Sequence, residues 1–137
     1  MSLPTSAEAA CSLSSTSMVF GTYDVLVATP LDTTGSLVYQ CSQRAHDIMI
    51  TLDRGGGTSF ATRRMVNGSE QLQYNLYLDA ARTIIWGDGS GGTQALLIHN
   101  PQGNNQDLTV PIFGRIPGGQ DRGIGTYSDT IIVTLNY

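Results

Sequence analysis

His46 and His99 are the side chains of this sequence best suited to move a proton near neutrality, and general-base work would require each to have a positioned partner. Neither stands in an HExxH motif, a metal-ligand spacing or the setting of a serine-nucleophile elbow, so each reads as a polar surface or loop residue. Asp79, Asp88, Asp107, Asp121 and Asp129 are scattered among turn-forming residues, whereas a glycosidase would need two carboxylates converging on one cleft. Gly87-Asp88-Gly89-Ser90-Gly91-Gly92 is faintly like a glycine-rich calcium repeat, but it occurs once and lacks further spaced acids, and turn formation accounts for it. The glycines do not form a phosphate loop, because the Walker lysine and the following helix are both missing. Trp86 could stack on a sugar, but its place beside a turn suits a core tryptophan better. The pattern therefore gives no catalytic residue, no metal and no cofactor, and the chain is not expected to be an enzyme.

Cys11 and Cys41 are too few for a four-ligand zinc site and lack the CxxC spacing of a redox pair. A single structural disulfide is the natural reading, against two buried free thiols in a cytosolic protein. Closing that loop would stabilise the fold by roughly 3 to 4 kcal/mol in the chain-entropy model. Ala7-Glu8-Ala9 has the small-x-small form of a signal-peptidase site, although the apolar stretch that should precede it is missing. Residues 1–10 are thus expected to be a signal-peptide remnant or an added tail, with the folded domain spanning 11–137. Export follows from the two cues together.

The elements that would carry these residues are strands. The chain has 137 residues, enough for one domain, and its 40% apolar content suits one packed core without supplying a membrane span. Net charge is −4 and the sequence contains no lysine, so the basic stripe of a nucleic-acid binder is absent. Only 13% of residues are charged, while Gly, Ser, Thr, Asn and Gln are plentiful, as in short strands joined by polar turns. No segment keeps helical apolar spacing beyond two turns. Alternating runs predict strands at 12–20, 35–42, 47–52, 60–66, 72–78, 83–86, 95–99, 108–116 and 126–137. Ile48, Ile50 and Leu52 share one face, as do Leu72, Tyr74, Leu76 and Leu78, the signature of a sandwich. Asn67-Gly68 suits a tight type I′ hairpin turn; the sequon reading of Asn67-Gly68-Ser69 would need a eukaryotic secretory route.

In the last segment Tyr127, Ile131, Val133, Leu135 and Tyr137 fall on one face, with Thr126, Ser128, Thr130, Ile132, Thr134 and Asn136 on the other. A core strand is thus expected to run to the last residue, and some neighbour must tie it down.

Several blocks occur in order: an early cysteine, Phe20-Gly21-Thr22-Tyr23-Asp24, Cys41, Arg64-Met65, Tyr74-Asn75-Leu76-Tyr77 and Trp86-Gly87-Asp88-Gly89. They continue with Ile112-Phe113-Gly114-Arg115-Ile116-Pro117, Gln120, Gly125-Thr126-Tyr127-Ser128-Asp129-Thr130-Ile131 and Tyr137. Together they resemble the spore coat protein U domain and the subunits of archaic chaperone-usher pili. The resemblance implies an all-β, immunoglobulin-like sandwich lacking one edge strand, exported through the periplasm to the cell surface or an extracellular fibre. It implies donor-strand complementation with a periplasmic chaperone, an usher and a neighbouring subunit as partners, and a homo-oligomer or strand swap in isolation. Tyr127, Ile131, Val133, Leu135 and Tyr137 match the C-terminal strand of that family and are assigned to the assembly groove and to chaperone recognition. The face would equally serve as the last strand of a closed sandwich.

One departure stands out. Residues 4–10 lack the bulky alternating side chains of a donor segment, which suggests either a trimmed chain or a distal domain that accepts a strand without giving one. A distal domain would make the apolar loops at Val25-Leu26-Val27 and Ala95-Leu96-Leu97-Ile98 adhesive candidates, although both read more readily as strands or core plugs. The alternative function is a stand-alone secreted adhesive or carbohydrate-binding module with a complete sandwich.

Overall fold

A computed structural model describes residues 11–42, 47–99 and 105–137. The expected signal-peptidase site at Ala7-Glu8-Ala9 and the surface or loop position expected for His46 lie outside the described residues. Among those described, the strands are β1 (Cys11–Ser17), β2 (Leu31–Cys41), β3 (Asp47–Leu52), β4 (Arg63–Asn67), β5 (Glu70–Tyr77), β6 (Leu96–His99), β7 (Leu108–Ile116) and β8 (Val133–Asn136). They form a five-stranded sheet in the order β1-β2-β7-β5-β4 and a three-stranded sheet in the order β6-β3-β8, all neighbours antiparallel.

Alternation builds the core between them. Ile48, Ile50 and Leu52 of β3 are fully buried and face Leu72, Tyr74 and Leu76 of β5, Leu37 and Tyr39 of β2 and Ile112 and Ile116 of β7. Trp86 is also fully buried, and its indole N–H donates to the Ile50 carbonyl at 2.9 Å, so it is a core residue and no sugar platform.

Several predicted boundaries move, each for a local reason. The predicted strand at 60–66 opens with a 3-10 turn, Phe60–Thr62, before β4. The one at 83–86 is reduced to isolated bridges, Tyr77 with Ile85 and Trp86 with Gln94. There the Asp79 carboxylate accepts the N–H groups of Thr83 and Ile84, at 2.9 and 3.0 Å, and folds the segment into a turn. The β4–β5 hairpin forms, but Asn67 pairs with Glu70 and the turn centres one residue later, on Gly68 and Ser69. Gly68 has φ +61° and Asn67 is not in the left-handed region. That is the II′ pattern, in which only the first central residue needs positive φ. The last predicted strand, 126–137, is continuous only from Val133 to Asn136.

Cys11 and Cys41 are bonded to one another and are direct partners in the β1–β2 ladder. The disulfide holds the first residue of an edge strand that pairs on one side only. Beyond it the register shifts between Leu13 and Ser15, so the inward parity passes from Cys11 and Leu13 to Thr16, opposite the buried Leu37. Replacing both cysteines with alanine is expected to lower the unfolding free energy by roughly 3 to 4 kcal/mol. Hydrogen exchange should show β1 amides opening before those of β5 or β7; uniform loss of protection would contradict this local role.

Candidate functional site

The small sheet is too narrow to cover the large one, and an apolar groove of about 480 Å³ lies where it stops. Its floor is Met65, Tyr74, Leu76 and Ile112 of the large sheet together with Leu52 of β3. One wall is formed by residues 16–21, including Met18, Val19 and Phe20; the other is formed by residues 126–129 with Ile131 and Val133. Among the described residues no strand pairs with the outer edge of β1 or with the edge of β8 opposite β3, so both walls continue into free strand edges.

The first wall exists because two glycines let the chain cross the sheet. After Ser17 the backbone leaves β1 and passes over β2 and β7. A Cβ at Gly35 would fall on the Ser17 carbonyl oxygen, and one at Gly114 would lie 2.6 Å from the Phe20 ring. The close approach seats Phe20 edge-on against Tyr74, with ring centroids 5.9 Å apart. Met18 and Phe20 are half-buried here, whereas Val19 between them is 76% exposed.

The second wall changes sheets along its length. Ser128 exchanges two backbone hydrogen bonds with Val66 on β4, at 2.8 and 2.9 Å. Four residues later the chain has joined the small sheet, where Ile132 receives the Asp53 N–H at 3.1 Å and gives its own N–H to the Asp53 carboxylate at 2.9 Å. Asp129 makes the crossing. Its carboxylate accepts the Tyr74 hydroxyl at 2.6 Å and the N–H groups of Gly56 and Thr130 at 3.0 and 2.9 Å. Burial, reinforced by this bond to Asp129, pushes the Tyr74 phenol far above its ordinary range, so it remains a hydrogen-bond donor at any physiological pH.

Beneath the wall lies a fully buried arginine. Arg63 donates from Nε and Nη2 to the Asp53 carbonyl at 3.1 and 2.8 Å, from Nη2 to the Trp86 carbonyl at 2.6 Å and from Nη1 to Asn75 Oδ1 at 2.9 Å. Burial lowers its pKa, while the surrounding Tyr74, Asp53, Asp129 and Tyr77 act in the opposite direction. The guanidinium thereby joins β4, β5, the end of β3 and the Trp86 loop in one polar cluster under an apolar site.

Of the residues assigned from sequence, Tyr127, Ile131 and Val133 line the groove. Leu135 packs against the core beyond it, and Tyr137, outside the strand, is 60% exposed. The alternation is nevertheless regular, with 127, 129, 131, 133 and 135 half-buried and the even positions between them exposed. Sequence reasoning missed Met18, Phe20 and Arg63. The signals were present as the Phe20-Gly21-Thr22-Tyr23 block with distant Gly35 and Gly114, and as the pair Arg63-Arg64, of which only Arg64 had been singled out.

The remaining candidates lie elsewhere. His99 sits on the outer face of the small sheet, 3.2 Å from Asp47 and largely exposed. Val25 packs on the core while Leu26 is 87% exposed; Leu96 and Ile98 are inward residues of β6. Among the described residues no group of three His, Cys, Asp or Glu side chains is placed to hold a metal, and no helix is long and apolar enough to cross a membrane.

The architecture is that of an immunoglobulin-like β-sandwich with an open seam. The spore coat protein U domain model matches residues 1–134, and the chain belongs to that family. Protein U of Myxococcus xanthus is 36% identical over 131 residues, an alignment covering 86% of this chain and 70% of that protein. A similar fold occurs in a chain of the crystal structure of the CsuC-CsuE chaperone-tip adhesion subunit pre-assembly complex from archaic chaperone-usher Csu pili of Acinetobacter baumannii. The TM-score is 0.63 at 18% identity over 95% of this chain, which spans 40% of the length of the solved one.

Arg63→Ala would leave the Asp53 and Trp86 carbonyls and Asn75 Oδ1 buried without their donor. A loss of about 3 kcal/mol or more is expected in urea unfolding. Arg63→Lys should recover less than half of it, because one ammonium on a single stem cannot serve three acceptors in the fork geometry. Full recovery by lysine would mean that charge alone matters there.

Proposed function

We propose that this chain is a structural or tip subunit of an exported fibre or coat, and that its groove accepts a β-strand from another polypeptide. The observation that carries this reading is the apolar groove flanked by the free edges of β1 and β8. A strand laid there would take up backbone groups that otherwise face water and would complete the burial of half-buried Phe20, Ile131 and Val133. That is worth roughly 1 kcal/mol for each such side chain, half of full burial. Addition of a strand to a sheet edge is an established mode of recognition, with backbone hydrogen bonds giving affinity and alternate side chains giving selectivity.

Membership of the spore coat protein U family supports an exported, structural role. The likeness in fold to a subunit in complex with its chaperone supports the order of events: a periplasmic chaperone fills the groove first, and a neighbouring subunit's strand replaces it at the usher. Tyr127, Ile131 and Val133 form the contact wall for both partners, with Leu135 continuing the same face. Folding and assembly are then one process, and no catalytic step is involved.

The purified protein tests this directly. Without a partner it is expected to form strand-swapped oligomers or to melt early. A ten-residue peptide of alternating threonine and valine, at a hundred times its dissociation constant, should raise the melting temperature by roughly 10 °C. Ile131→Asp should abolish that rise. A stable monomer by size exclusion with light scattering, indifferent to strand peptides, would leave only a self-contained exported module.

A further inference from the structure

The sequence sets seven cationic side chains, all of them arginine, against eleven acids. Arg63 is buried in its polar cluster, and Arg82 and Arg115 share the Asp32 carboxylate at 3.7 and 2.7 Å. Arg64 and Arg122 have no acidic partner among the described residues, yet they stand together. With Gln71, Gln73 and Gln120 they line a polar pocket of about 190 Å³.

Strand register assembles this pocket on the face of the large sheet turned away from the groove. Arg63 and Met65 of β4 and Leu72 and Tyr74 of β5 are buried inward, so Arg64, Gln71 and Gln73 alternate outward, with Gln73 directly opposite Arg64. Arg64 Nη1 donates to Gln71 Oε1 at 3.3 Å. β7 pairs with β5 only at Asn75 to Tyr77, and the side chains of Gln120 and Arg122 take the edge that β7 leaves bare. The Gln120 amide accepts the Gln73 N–H at 2.9 Å and donates to the carbonyls of Gln73 and Pro117 at 2.8 and 3.1 Å. Arg122 donates from Nε to the Gln71 carbonyl at 2.7 Å and from Nη1 to the Asp121 carbonyl at 3.3 Å. Gln120 is itself held by the buried Tyr23, whose hydroxyl donates to its carbonyl at 2.8 Å and accepts its N–H at 2.7 Å. Two glutamines on β5 thus lie between an arginine on each side. Nε and Nη2 of Arg64 and Nη2 of Arg122 have no protein partner among the described residues.

We propose that this pocket binds one acidic sugar residue of a polyanionic polysaccharide, the two guanidinium groups taking its carboxylate and the glutamine amides its hydroxyls. A guanidinium is a planar fork that matches a carboxylate. Each glutamine brings an acceptor oxygen as well as donor hydrogens; a bare sulfate has no donor to offer that oxygen, whereas a sugar hydroxyl both gives and takes. The volume is below the ~300 Å³ at which common small-molecule pockets begin, so it suits a single ring, and its place on an open sheet face lets the polymer continue to either side. Neither Glu70 nor Asp121 lines the pocket, and the Glu70 carboxylate lies toward Gly123, 3.7 Å from a Cβ placed there. With a net charge of −4 the chain as a whole repels a polyanion, which confines binding to this spot. The site is independent of strand acceptance, because the groove opens on the other face of the sheet.

Calorimetry of the whole chain with trigalacturonate is expected to give saturable binding, and the neutral trisaccharide maltotriose and sodium sulfate should each bind about tenfold more weakly. Arg64→Gln removes a guanidinium that braces no backbone group; it should keep the parental melting temperature and weaken trigalacturonate about tenfold. Arg64→Lys, which keeps the charge but loses the fork, should remain about threefold weaker than the parent. Arg54→Gln is the control, an exposed arginine that donates to the Thr58 carbonyl, and should change binding by about twofold or less. In an NMR titration the side-chain amide signals of Gln71 and Gln73 should shift, while the backbone amides of Ile131 and Val133 in the groove should stay in place. Sulfate or maltotriose binding as tightly as trigalacturonate would overturn the acidic-sugar assignment. Equal losses from Arg54→Gln and Arg64→Gln, or no saturable binding of trigalacturonate, would overturn the site.

Discussion

The inner face of the five-stranded sheet is wider than the three-stranded sheet packed on it, and from that mismatch the rest of the molecule follows. Ile48, Ile50 and Leu52 of the small sheet shield the centre of the large one completely. Beyond β8 the shielding passes to two stretches of chain, 16–21 and 126–133, which overhang the floor. Floor residues such as Ile112 and Leu76 stay nearly buried because of this overhang, and the cost of the open seam falls on the half-buried walls. A completed sandwich would need one more strand in this position.

An open seam needs a rigid frame, and the buried guanidinium of Arg63 supplies it. Three of the groups it binds belong to different parts of the chain, the end of β3, β5 and the Trp86 loop, so the two sheets are clamped beside the groove by charge-assisted hydrogen bonds rather than by packing alone. Asp129 repeats the logic one layer up. It collects Tyr74, Gly56 and Thr130 and fixes the point at which the C-terminal segment leaves the large sheet for the small one. These polar contacts are directional, which apolar contacts are not, and they keep the walls at a set distance when nothing lies between them.

The two edges are treated differently. The bare edge of β5 is closed by the side chains of Gln120 and Arg122, at no cost in chain length, whereas the edges of β1 and β8 are left open beside an apolar floor. Free edges normally invite indiscriminate pairing and are blunted. Here the blunting is selective: among the described residues the bare edge of β5 is closed by side chains, while the outer edges of β1, β8 and β6 have no strand partner. The disulfide serves the same end, holding β1 at its first residue although it has a partner on one side only.

The sequence by itself determined the all-β class, the inward faces of β3, β5 and the C-terminal segment, the family and the pairing of Cys11 with Cys41. Each of these is local or compositional: alternation with a period of two, turn residues between runs, two cysteines with no partner but each other, and ordered motif blocks. It did not determine where the last strand begins, that Trp86 lies under β3, or that Arg63 rather than Arg64 is buried. Those outcomes depend on contacts between residues distant in the chain, as when Asp53 captures Ile132 or Asp79 folds 83–86 into a turn. Only the tertiary structure could decide that Met18 and Phe20 wall the groove, because their crossing requires the absence of side chains at Gly35 on the neighbouring strand and Gly114 one strand further on, and alternation within one segment carries no information about such a vacancy.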